Sequence, residues 1–164
     1  MTTHRQIETP IGPLTLVAAG GALTRIEFGA QAIAGEPARE HDDELVLAAA
    51  ERQLDAYFDG ELERFDLPLD AAGTDFQQRV WAQLRQIPYG TTTTYGALAT
   101  ALGLTGHGAR AVGAANGRNP IPIVVPCHRV IGSDGTLTGY AGGLEIKRTL
   151  LELEGVLIPE PTAP

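Results

Sequence analysis

The chain has 164 residues and a mass of 17.3 kDa; it is 43% hydrophobic and 20% charged, with one cysteine. That length suits one medium domain or two small ones sharing a core, and the composition excludes a disordered tail. No apolar run reaches the roughly 18–20 residues of a membrane span, and residues 1–10 hold no signal-peptide-like stretch. A lone cysteine excludes an intrachain disulfide and a cysteine-based zinc cage, so the expected setting is the reducing cytoplasm.

The net charge of −8 argues at first sight against a nucleic-acid partner. Its distribution weakens that argument. Residues 1–74 hold 5 Arg against 14 Asp/Glu, whereas residues 75–164 hold 7 Lys/Arg against 6 Asp/Glu. The second half is free to approach a phosphate backbone through local arginines.

Residues 5–28 read as strands, with 14–17 and 23–28 flanking Gly20-Gly21, a hairpin turn. Alternation puts Thr24, Ile26 and Phe28 on one face. Residues 29–40 are a connection without a clear period. Residues 43–58 read as a helix with Leu47, Leu54 and Phe58 as its stripe and Asp42 or Asp43 as its cap. Residues 64–69 add a further strand. This half shows no catalytic constellation.

A boundary falls near Gly73. Thr74 and Gln77 form a capping-box pattern, and the helix they open aligns Phe76, Val80, Leu84 and Ile87 before Pro88 stops it. Trp81 reads as core. A helix over 95–102, capped by Thr94, is followed by a Gly-rich turn and a helix over 107–115. That pairing suggests a helix-turn-helix. The last of these helices is nearly bare: Ala109, Ala111, Gly113, Ala114 and Ala115 surround one large polar residue, Arg110. Bare helices allow close approach, to another helix or to a nucleic-acid groove.

The apolar run 121–126 delivers Cys127-His128-Arg129. Positive charge nearby favours thiolate over thiol. Adjacent side chains do not face each other in a helix or strand, so His128 needs a bridging water or a sharp turn to serve Cys127. A final helix from Leu144 to Leu153 places Ile146, Leu150 and Leu153 inward. Lys147 and Glu154, two turns apart, border that face. They pair with each other, or Glu154 completes a Cys–His–acid relay.

Pro126-Cys127-His128-Arg129-Val130 resembles the active-site signature of the O6-alkylguanine-DNA alkyltransferases, the methylated-DNA–protein-cysteine methyltransferases. Residues 110–113, Asn119-Pro120, residues 139–143, Lys147 with Leu150-Leu151, and Glu154-Gly155 follow in the family's order and spacing. The likeness spans about 74–155, and the N-terminal half looks like the family's variable domain. It implies an α+β fold: a small ribonuclease H-like N-terminal domain with antiparallel strands (1–73), a mostly helical domain with a winged-helix-like helix-turn-helix (74–158), and a tail (159–164).

The resemblance also implies roles. Cys127 is the alkyl acceptor, His128 takes its proton through a water, and Glu154 orients His128. Asn119 is the hinge that holds the cysteine segment, and Lys147 stabilises it. Arg110 fills the gap left by the flipped nucleotide, on a minor-groove face that includes Ala109, Gly113 and Ala114. Tyr95 helps rotate the flipped nucleotide and donates to the base. Tyr140, Val130 and Ala141 line the base pocket. The implied partner is double-stranded DNA carrying O6-alkylguanine, with O4-alkylthymine an open further substrate. The expected protein is a monomer that needs no metal or cofactor and has no membrane association. Ala141 stands where some members have a hydroxyl residue, and the cysteines of some members' N-terminal zinc site are absent. A DNA-recognition module without alkyl transfer and a Cys–His–Glu hydrolase are the rival readings. Cys127 argues against the first; the second leaves the helix pair and Arg110 unexplained.

Overall fold

The structure, a computed structural model, describes residues 2–30 and 41–158. Most of the connection over 29–40 and the expected tail lie outside the described residues. Strands β1 (Thr3–Thr9), β2 (Gly12–Ala19) and β3 (Ala22–Phe28) form an antiparallel sheet in that order. Gly20 and Gly21 both have positive φ, which the tight β2–β3 turn requires. Ala18 pairs with Leu23 and Val17 with Arg25, leaving Thr24 as an extra residue. This bulge corrects the simple alternation: Leu23, not Thr24, joins Ile26 in the core.

Helix α1 (His41–Phe58) lies across all three strands. It buries Val46, Leu47, Ala50, Leu54 and Tyr57, while Phe58 is only partly covered. Asp42 and Asp43 sit inside its first turn rather than before it. The buried Asp43 carboxylate instead accepts from the Gly21 N–H (2.7 Å) and the Thr3 hydroxyl (3.3 Å), tying the helix to the hairpin. The expected strand over 64–69 reduces to a single bridge. Leu23 donates to Pro68 O (2.8 Å) and accepts from Asp70 N–H (2.9 Å).

Thr74 caps α2 (Asp75–Leu84) in a complete capping box with Gln77, a contribution of about 1 kcal/mol. The helix ends at Leu84, although Ile87 beyond it stays buried. The Trp81 indole donates to Ala115 O (2.9 Å), joining α2 to the bare helix. Thr94 caps α3 (Tyr95–Ala101) as expected. After a short turn comes α4 (Gly108–Gly117), packed against α3. A Cβ at Gly108 would come within 2.7 Å of the Leu104 Cβ, so that junction needs glycine. Strands β4 (Thr93–Thr94) and β5 (Val130–Ile131) pair in parallel, and α5 (Leu144–Leu153) closes the fold. The Ile26 N–H donates to Pro120 O (2.9 Å), so the sheet abuts the segment leading to the cysteine. No described helix is long and apolar enough to cross a membrane.

Candidate active site

The segment entering Cys127 is folded by two consecutive tight turns. Val124 N–H donates to Pro122 O (2.9 Å) around Ile123, and Cys127 N–H donates to Val125 O (2.8 Å) around Pro126. Ile123 has φ +73° and is the one described non-glycine residue with positive φ. Such a γ-turn is rare and costs about 1–3 kcal/mol. Burial of Ile121, Ile123, Val124 and Val125 offsets it. Asn119 fixes both ends of the run. Its amide donates to Val125 O (2.8 Å), and its carbonyl accepts from the Ile121 N–H (3.0 Å). Asn116 adds a longer contact to Cys127 O (3.5 Å).

Cys127–Arg129 form one turn of 3₁₀ helix. This turn sends the imidazole of His128 away from its neighbour and onto Glu154, the C-cap of α5 (Nε2 to Oε2, 2.7 Å). Arg129 donates to both carboxylate oxygens (2.8 and 3.1 Å) and to Ile87 O (2.7 Å), beneath the Tyr89 ring. The Tyr57 hydroxyl of α1 donates to the same Glu154 Oε2 at 2.6 Å. All four side chains are buried. Burial alone would raise the Glu154 pKa, but hydrogen bonds from His128, Arg129 and Tyr57 and the charge on His128 overrule it and hold it at about 2. Burial also pushes His128 down, against the pull of Glu154, so its resting imidazole is neutral. Its Nδ1 is buried and has no hydrogen-bond partner among the described residues.

Burial raises the Cys127 thiol pKa, and a hydrogen bond from Asn119 and the charge of Lys147 oppose the rise. The resting site therefore holds a protonated thiol and a neutral imidazole. Lys147 is fully buried, donating to Val130 O (2.6 Å) and Thr138 O (3.1 Å). Burial lowers its pKa to about 8, with Cys127 acting the other way. The Tyr140 hydroxyl is buried beside Cys127, without a nitrogen or oxygen partner among the described residues. Burial and the sulfur keep it protonated, hence a donor beside the sulfur.

A second group lies on the outer surface. Tyr95, Ala109, Arg110 and Gly113 line an open depression of about 520 Å³ with Ser133 and Thr138. The Tyr95 hydroxyl is 2.6 Å from the Thr138 Oγ1, and Thr138 O accepts from Lys147. Tyr95 and Lys147 thus both hold Thr138, one by its side chain and one by its main chain, in the loop that carries Tyr140. Arg110 and Ala114 are exposed, as is Ala141 beside Tyr140.

Residues 3–71 match the family model for the ribonuclease-like domain of 6-O-methylguanine DNA methyltransferase, and residues 75–156 match that for its DNA binding domain. The chain belongs to this family. It is 55% identical over 156 residues to the methylated-DNA–protein-cysteine methyltransferase of Mycobacterium tuberculosis, covering 94% of this chain and 93% of that protein. The protein of that name from Methanosarcina barkeri is 52% identical, covering 90% of this chain and 94% of its own. Among solved structures, M. tuberculosis O6-methylguanine methyltransferase superposes with a TM-score of 0.79 at 51% identity, over 94% of this chain and 93% of that one. M. tuberculosis OGT in complex with DNA gives 0.79 at 53% identity, over 93% and 92%.

For a methylated-DNA–protein-cysteine methyltransferase, the inner group expected from sequence is assembled: Cys127, His128, Glu154, Asn119, Lys147, Val130 and Tyr140. Three expectations need correction. The inward face of α5 is Lys147, Leu150 and Leu151, continued by Glu154, while Ile146 and Leu153 are only partly covered. The charged pair does not border the apolar face but forms part of it. Each member finds separate partners, so Lys147 and Glu154 do not pair with each other. The second correction concerns the N-terminal half, which supplies Tyr57 to Glu154. The stripe read from sequence ended on Phe58, but Tyr57, three residues after Leu54, is the one that turns inward, and nothing local marked its hydroxyl as paired. Arg129, read as a charge for the thiolate, is bound to Glu154 instead.

Proposed function

We propose that the protein repairs DNA by irreversible transfer of the alkyl group of O6-alkylguanine, and in principle O4-alkylthymine, to Cys127, one lesion per molecule. The α3–α4 pair acts as a helix-turn-helix. The bare face of α4 around Ala109, Gly113 and Ala114 enters the minor groove, and Arg110 fills the stack as the damaged nucleotide is flipped out. Flipping costs a few kcal/mol, and Arg110 offsets part of it. Tyr95 steers the flipped nucleotide; Tyr140, Val130 and Ala141 line its pocket.

Cys127 passes its proton through a water to Nδ1 of His128. The imidazolium is stabilised by Glu154. The thiolate attacks the saturated alkyl carbon, forming the S–C bond as the C–O6 bond breaks. The electron pair leaves with guanine, hydrogen bonds help stabilise its charge, and the proton held on His128 returns through the water to restore neutral guanine. The product is a thioether, and with no second thiol in the chain to reverse it, the protein is consumed. Residues 1–73 and 74–158 act as two domains of a cytoplasmic monomer, with DNA contacted by the less acidic second half. Affinity for undamaged DNA is then modest and salt-sensitive.

The observation that carries this reading is a lone cysteine pinned by Asn119 beside a buried His128–Glu154 pair. Cys127→Ala tests it. The variant should bind alkylated duplex DNA and leave the lesion intact; repair by this variant would refute the acceptor role.

A further inference from the structure

The Oε2 oxygen of Glu154 has two close donors with different origins. His128 Nε2 approaches at 2.7 Å from the cysteine segment, and the Tyr57 hydroxyl approaches at 2.6 Å from α1, 97 residues away in sequence. Arg129 Nη2 makes a third, longer contact at 3.1 Å, while Oε1 takes Arg129 Nε at 2.8 Å and Gly90 N–H at 3.5 Å. Donors to one oxygen compete: each draws electron density from the lone pairs the others use. Tyr57 is fully buried and wedged among Phe58, Phe65 and Tyr89, so its ring is fixed without its hydroxyl.

We infer that Tyr57 is a positioning residue for the transfer reaction: its hydroxyl sets how strongly Glu154 stabilises a proton on His128. The inference rests on the His128–Glu154 relay proposed above. By neutralising part of the Oε2 charge, Tyr57 weakens the attraction of Glu154 for an imidazolium. Its partner oxygen and its burial keep the phenol protonated throughout the working pH range, so it donates and never relays. The other titratable groups around this cluster are Arg129, Tyr89, Lys147, Cys127 and Tyr140. Arg129 holds both carboxylate oxygens, so the carboxylate stays in place when Tyr57 is altered.

The test is the pH dependence of Cys127 alkylation by free O6-benzylguanine, which reads thiolate formation without a contribution from DNA. Tyr57→Phe keeps the ring and removes the donor. His128 then becomes the better base, and the midpoint of the profile should move to lower pH by about half to one unit. 3-Fluorotyrosine at position 57, a stronger donor, should move it the opposite way. A structural role alone would lower yield or melting temperature without producing opposite shifts. Unmoved midpoints in both proteins, or shifts of the same sign, would overturn the inference. Glu154→Gln separates the two readings. If Glu154→Gln leaves the midpoint in place, the relay itself fails; if only Glu154→Gln moves it, the relay stands and Tyr57 has no part in it. Should Tyr57→Phe not fold, the fluorinated protein alone decides, with an upward shift required.

Discussion

The two halves of the molecule use burial differently. Around the N-terminal sheet the buried residues are chiefly apolar: Leu14, Leu16, Leu23, Leu47 and Leu54 are fully covered, while the acidic charge of this half lies mostly at the surface. The C-terminal half buries Asn116, His128, Arg129, Lys147 and Glu154 around one sulfur. Removing apolar atoms from a core costs stability. Removing one member of a buried charged cluster also strands its partners and changes their protonation. The first half is thus built to be stable, and the second is built to hold a particular state of charge.

The sharpest way to break this contrast is a pair of truncations of similar energetic size. Glu154→Ala leaves Arg129 and His128 without their acceptor and should cost about 3–5 kcal/mol. It should also raise the apparent pKa of Cys127 reactivity. Leu54→Ala should cost about 2–5 kcal/mol and leave that pKa alone. Urea denaturation gives the stabilities and the O6-benzylguanine rate against pH gives the reactivity. Equal pH profiles for all three proteins would erase the distinction between the halves.

Acid should expose the same difference. The Glu154 pKa is depressed from 4.5 to about 2, so its contribution is complete above about pH 4.5 and is lost as pH falls through about 2. That interval amounts to about 3 kcal/mol for this one carboxylate. In Glu154→Gln the loss over this interval should be smaller, as read from melting temperatures at stepped pH. A smaller effect is expected at the outer surface. Arg110→Ala removes an exposed side chain and should change stability by less than about 0.5 kcal/mol. It should slow repair of duplex DNA more than reaction with free O6-benzylguanine, and equal slowing would remove the stack-filling role.

What the sequence disclosed follows the same division. Elements set by local chemistry were legible: the Gly20-Gly21 hairpin, the Thr74–Gln77 capping box, the Thr94 cap and the extents of α3 and α5 to within a few residues. The β3 register was not, because an extra residue such as Thr24 has no local signature. The face of α5 was misjudged because Lys147 and Glu154 look like surface residues until their partners are known. Those partners are the main chain of Val130 and Thr138 for one and His128, Arg129 and Tyr57 for the other. The strand over 64–69 shrank to a bridge because its pairing depends on where Leu23 lies, not on its own pattern. The inner group was expected from motif resemblance alone. Tyr57 escaped because its function depends on a contact across 97 residues.

The central claim is that Cys127 is a single-use alkyl acceptor. Its most direct test is intact and peptide mass spectrometry after mixing the protein with excess duplex DNA carrying one O6-methylguanine. One methyl group is expected on the peptide containing Cys127, with repair stopping at one lesion per protein molecule. Lesions removed beyond that ratio, or DNA bound with no adduct on Cys127, would contradict it.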